Sequence, residues 1–131
     1  SCTSLHSIEH GLTATYPDLP HGAGLLMLSK PYFTFFSRYV PDRFIKMAHI
    51  LGVSTDGLSD AEKPMAFVDA MMDLQQKCGV ADLKMSDYGV ESDKMEQIAR
   101  NAHKTMSNLF AMDRYSLSLK ETVDILSAAY K

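Results

Sequence analysis

Leu5-His6-Ser7-Ile8-Glu9-His10-Gly11-Leu12, followed by Tyr16-Pro17-Asp18-Leu19-Pro20-His21-Gly22-Ala23-Gly24-Leu25, is the stretch around which the rest of the chain is organised. Three of the five histidines fall inside one sixteen-residue window. Leu5, Ile8 and Leu12 recur at helical spacing, which predicts a helix to about residue 15, stopped before Tyr16-Pro17 by the restriction a proline places on its predecessor. In such a helix His6 and His10 stand one turn apart and project from one face toward a common point. His21 then returns from a loop that Pro17 and Pro20 stiffen, while Gly22 and Gly24 let backbone come close to whatever His21 holds. This spacing suits a metal site or a proton-transfer site.

Beyond the window the periodicity stays helical. Ala23 to Ser29 reads as a mostly buried helix, broken or kinked at Lys30-Pro31, with Tyr32 to Tyr39 as a second, aromatic-rich piece. Pro41-Asp42 opens the next helix, with Phe44, Met47, Ala48 and Leu51 on one face and Gly52 at its end. Ser59 and Glu62 have capping-box spacing ahead of a helix through Met65, Val68, Met72 and Gln75 toward Gly79. Ala81 to Tyr88 reads as loop with one short turn. Ser92 to about Phe110 is the cleanest amphipathic helix, with Met95, Ile98, Ala99, Ala102, Met106 and Leu109 three and four apart. Ser118 with Glu121 repeats the capping-box spacing, and Val123, Leu126 and Tyr130 give the last helix its inner face. Nothing alternates with period two long enough to require a sheet. The expectation is a single all-helical domain over residues 1–131, with the metal-binding motif at 1–24.

Composition narrows the function classes. A chain of 131 residues can bury roughly two-thirds of its extended surface and so hold a proper core. Apolar residues make up 46% and charged residues 22%, with a formal charge of -3 and no basic block, which argues against nucleic acid as a partner. The longest apolar run, Leu25 to Leu28, is far too short to cross a bilayer, so no membrane role is expected. Cys2 and Cys78 make no disulfide framework, and a cytoplasmic protein is the default. Ser1-Cys2-Thr3-Ser4-Leu5 runs straight into the histidine motif, as though the chain began inside a helix, so a fragment or processed form is expected. Met27, Met47, Met65, Met72, Met95 and Met106 sit on apolar faces at helical spacing and read as core filler. Phe33, Phe35, Phe36 and Tyr39 lack accompanying Lys or Arg, which favours helix packing over a stacking platform.

The histidine window admits three readings. Neutral imidazoles on adjacent turns, with a third from a nearby loop, can occupy three positions around a divalent metal. Read literally, His6, Glu9 and His10 form a His-x-x-Glu-His string, the pattern of a zinc hydrolase in which Glu9 would be the general base. Or the three histidines have no joint task and the chain is a non-enzymatic helical interaction domain. His49 and His103 read as surface or boundary residues.

These residues resemble a known family. The two quoted stretches are similar to the metal-binding signature of the iron-containing (group III) alcohol dehydrogenases. Ser86-Asp87-Tyr88-Gly89-Val90, then a helix, then Ser118-Leu119-Lys120-Glu121 and a closing helix through Ala128-Ala129-Tyr130, are similar to the end of those enzymes. The resemblance covers essentially the whole chain. It implies the helical C-terminal half of a two-domain, dehydroquinate-synthase-like enzyme, with an N-terminal nucleotide-binding domain, absent from this chain, as its partner.

The resemblance also implies residue roles. His6 and His21 would be two ligands of Fe2+ or Zn2+, with an aspartate and a further histidine supplied from upstream. His10 would be the non-ligand histidine facing the nicotinamide of NAD or NADP and the substrate, a small alcohol or aldehyde. The ion would polarise the alcohol or carbonyl oxygen during hydride transfer. The loop between His10 and His21 is one residue longer than in common members, and Gly24 replaces the residue many members have. Without the nucleotide-binding half the fragment is expected to be inactive, and assembly as a homo-oligomer is compatible with the family. Two geometric expectations follow: the rings of His6 and His21 lie within about 7 Å, as metal–nitrogen bonds of about 2 Å require, and the face carrying His6, His10, His21 and Leu25 is exposed or covered by a partner.

Overall fold

A computed structural model describes residues 2–131; Ser1, the first position of the expected motif, lies outside the described residues. Among the described residues every regular element is helical and there is no strand, so the chain is all-α. The elements are α1 (Ser4–Thr15), α2 (His21–Tyr39), α3 (Pro41–Ile50), α4 (Met65–Lys77), two short 3-10 turns (Met85–Tyr88 and Ser92–Lys94), α5 (Met95–Thr105), α6 (Ser107–Phe110) and α7 (Leu119–Ala129). None is long and apolar enough to cross a membrane. By compactness the chain falls into two units, Ser1–Pro31 with Leu83–Lys131, and Tyr32–Asp82.

In the first unit α5 is the central element, packed against both α1 and α7. Its Met95, Ile98, Ala99 and Ala102 form the apolar stripe and are all buried. Ile8 and Leu12 of α1 are fully buried, each contributing about 1.5–3 kcal/mol relative to exposure. The helices approach closely because Gly11 has no side chain: a Cβ there would stand 2.9 Å from the Ile98 carbonyl oxygen and 3.2 Å from Ala102 Cβ. Polar groups fix the register. Ser7 Oγ donates to the Met106 carbonyl at 2.9 Å, and the Ser4 amide, an open donor at the start of α1, reaches Asp113 Oδ1 at 3.4 Å. In the second unit α3 packs on α4, and Phe33, Phe44 and Phe67 meet edge to face with ring centroids 5.6–6.2 Å apart. Phe33 is therefore packing, as the missing cations suggest.

Several boundaries differ from expectation for identifiable reasons. α2 is not split at Lys30-Pro31: it contains Pro31, which removes only the donor that would meet the Met27 carbonyl, while Met27, Leu28, Tyr32 and Phe36 are buried on either side. Ser59 does close on Glu62, its amide and hydroxyl both reaching Glu62 Oε2, but α4 starts only at Met65 because Pro64 disfavours helical backbone at Lys63. The helix expected over Ser92 to Phe110 is interrupted at Met106, whose non-helical backbone turns its carbonyl to Ser7.

On α7 the capping box of Ser118 and Glu121 is present. Its buried face is Thr122, Ile125, Leu126 and Ala129 rather than Val123, Leu126 and Tyr130. Thr122 is drawn inward because its hydroxyl donates to the Ser118 carbonyl and accepts from His103 Nε2, both at 2.9 Å. The His103 ring also stacks on Phe110 at 3.9 Å, and burial holds its pKa below the ordinary imidazole value.

Two outcomes are expected. Gly11→Ala lowers stability by about 1–3 kcal/mol in denaturant unfolding, despite alanine's better helix propensity, because the new methyl meets a backbone carbonyl. For His103 the folded-state pKa is depressed, so on acidification the unfolded chain takes up the proton first. Its stabilising contribution is intact above the unfolded value of about 6.5 and is lost as pH falls below it. Unfolding midpoints across that range should fall less steeply in His103→Gln than in the parent.

Candidate metal centre

The buried arc of α1, Ser4, Ser7, Ile8, Gly11 and Leu12, sets its rotation and turns His10 into solvent and His6 to a half-buried position. Tyr16 leaves helical backbone, and Leu19 is buried, its amide donating to the Tyr16 carbonyl at 3.0 Å. Tyr16 Oη in turn accepts from the Glu91 amide at 3.1 Å. These contacts return the chain so that α2 opens at His21, beside the histidines of α1. The His21 ring centroid lies 5.6 Å from that of His6 and 5.3 Å from that of His10. Two imidazoles sharing one tetrahedral ion, with metal–nitrogen bonds of about 2 Å, have centroids about 5 Å apart. Both pairs fit. His10 and His21 are exposed, and His6 and Leu25 are half-buried.

Glu9 enters this site from the opposite side. It is fully buried, and its Oε2 pairs with His21 Nδ1. With the carboxylate oxygen as acceptor, the ring nitrogen donates, and the lone pair of Nε2 is left for a metal ion. The second oxygen, Oε1, is buried and has no hydrogen-bond partner among the described residues. Among the described residues, Glu9, His10 and His21 are the group whose possible ligand atoms all lie within 4.8 Å of one another; His6 is not in that set. The donor set therefore fits a divalent ion in its chemistry: imidazoles for a borderline metal, and a carboxylate either in the shell or behind it.

Considered from sequence as the base of a hydrolase, Glu9 is ill placed for that task, since it is fully buried and one oxygen is engaged with a histidine. Its burial had a legible signal: Glu9 is four residues after Leu5 and three before Leu12, on the apolar arc rather than the polar one. Of the other histidines, His49 Nε2 bonds Thr55 Oγ1 at 2.9 Å and His103 packs on Phe110. Neither joins the cluster.

The chain is similar to known proteins. The chain is 27% identical over 126 residues to the 1,3-propanediol dehydrogenase of Citrobacter freundii, a match covering 96% of this chain and 32% of that protein. The structure of an alcohol dehydrogenase from Oenococcus oeni superposes with a TM-score of 0.83 at 27% identity, over 98% of this chain and 32% of the other. That of an NADH-dependent butanol dehydrogenase A from Thermotoga maritima gives 0.76 at 25% identity, over 98% and 33%. The chain thus spans about a third of the length of each of these relatives. Residues 1–130 match the Fe-containing alcohol dehydrogenase family, C-terminal. All-helical throughout its described length and carrying a Glu/His cluster with metal-ligand spacing, this chain belongs to the iron-containing alcohol dehydrogenase family as its C-terminal domain.

Proposed function

We propose that this chain is the metal-holding half of an NAD(P)-dependent alcohol dehydrogenase that acts on small alcohols or aldehydes. The observation that carries the proposal is the approach of the His6 and His10 rings to His21 at 5.6 and 5.3 Å. His6 and His21 would hold Fe2+ or Zn2+, the remaining ligands coming from an upstream nucleotide-binding domain. The fraction of the relatives' length that the chain spans supports such a partner, and the name of the Thermotoga maritima relative supports a nicotinamide cofactor.

When bound, the ion supplies Lewis acidity that polarises the substrate oxygen while the nicotinamide carries the hydride. The chain's own residues do the positioning. The buried arc of α1 fixes where His6 stands, and the loop ending at Pro20 presents His21 opposite it. His10, exposed and one turn beyond His6, can accept or return a proton at a ring nitrogen on the substrate side, or orient the cofactor ring.

The 131-residue chain by itself should show negligible NAD(P)-dependent oxidation of simple alcohols; turnover well above a no-protein control would overturn the two-half reading. In the protein that carries this chain behind its nucleotide-binding domain, His6→Ala and His21→Ala should each lower metal affinity by more than the 10–100-fold typical of losing an outer-shell partner. Activity should fall with metal content. Normal metal content by elemental analysis in both variants would instead favour the non-enzymatic interaction module.

A further inference from the structure

Glu9 is the one fully buried acidic residue in a cluster whose histidines are exposed or half-buried, and the roles proposed above for His6, His10 and His21 leave it without a task. Burying a carboxylate with an unpaired oxygen costs free energy, so its retention at the back of the site calls for a compensating role. Its place is prepared by two features. It pairs with His21 Nδ1, the ring nitrogen on the side away from a ligand bound at Nε2. And it occupies the room left by a missing side chain: a Cβ at Gly24, one turn into α2 from His21, would lie 2.9 Å from both Glu9 Cγ and Oε1.

We infer that Glu9 is a positioning residue for His21, held under α2 by the absence of a side chain at Gly24, and that it locks the imidazole as the Nδ1–H tautomer with Nε2 presented to the ion. This deepens the metal reading and rests on it. Its orphaned oxygen lies against Gly24, within the buried layer, and its other oxygen is engaged with His21. Glu9 therefore stands behind the shell and is not a ligand. A carboxylate that accepts a hydrogen bond from the far N–H of a ligating histidine fixes the ring's orientation and raises its basicity. Glu9 and Gly24 form a matched pair: a residue with a side chain at 24 requires a smaller residue at 9.

The test uses the protein that carries this chain behind its nucleotide-binding domain, with Co2+ as probe. In the metal-free protein, nitrogen-15 NMR of the neutral His21 ring should report the Nδ1–H tautomer. Glu9→Gln, which keeps the volume, should lose that single-tautomer signature and weaken Co2+ binding 10–100-fold, with an unchanged ligand-field spectrum at saturation. Gly24→Ala should disturb the His21 signature and destabilise the parent, yet be tolerated in Glu9→Ala, so that the two changes are strongly non-additive.

A His21 tautomer unaffected by Glu9→Gln, or an equal cost of Gly24→Ala in both backgrounds, overturns the inference. So does a Co2+ spectrum altered at saturation, which would make Glu9 a ligand. Failure of the metal reading is distinguishable. In that case His21→Ala leaves Co2+ binding unchanged, while the tautomer and the double-mutant cycle still report on Glu9.

Discussion

The rotation of α1 about its own axis is the constraint on which the site depends. Gly11 lets the backbone of α1 come within contact distance of the Ile98 carbonyl, and Ile8 and Leu12 fill the interface beside it. With 100° between successive residues, burying 4, 7, 8, 11 and 12 leaves 6 and 10 on the flank and the outer surface. The Ser7 hydroxyl and the Ser4 amide then prevent sliding, because their partners near Met106 and Asp113 are fixed points. The histidines are thus placed by the packing behind them.

The same constraint explains why the chain tolerates a carboxylate inside the protein. Glu9 lies at the edge of the arc that packing buries, so it goes inward with its neighbours, and its solution is local: an imidazole from the start of α2 and the open side of a glycine one turn later. A buried charge with a single partner adds little to stability, and its value lies in specifying an arrangement. Here that arrangement is the orientation of His21. The close approach of α2's first turn and the orientation of the ring are one requirement met by two residues fifteen positions apart.

Departures from simple periodicity have a common origin. α5 stops at Met106 because the freed carbonyl is worth more to Ser7 than to another helical turn. α7 turns Thr122 inward because its hydroxyl completes a bond to His103. Pro31 sits within α2 because burial on both sides of it outweighs one missing hydrogen bond. In each case a tertiary contact overrides a local preference by an amount comparable to the preference itself, about 1–3 kcal/mol.

Helical class, the extent of α1, the α5 stripe, the Ser118 cap and the grouping of His6, His10 and His21 were all legible in the order of residues. Period, proline and capping chemistry act over a few positions, and a linear pattern records them. The role of Glu9 and its dependence on Gly24 were not, although Glu9 lies on the apolar arc between Leu5 and Leu12. Which partner receives a buried carboxylate is decided by the return path of the loop through Leu19 and Pro20 and by the distance between two helix backbones. The register of α7 and the break at Met106 were hidden for the same reason. The donors and acceptors that set them come from helices far apart in the chain, and only folding brings those groups within hydrogen-bond range.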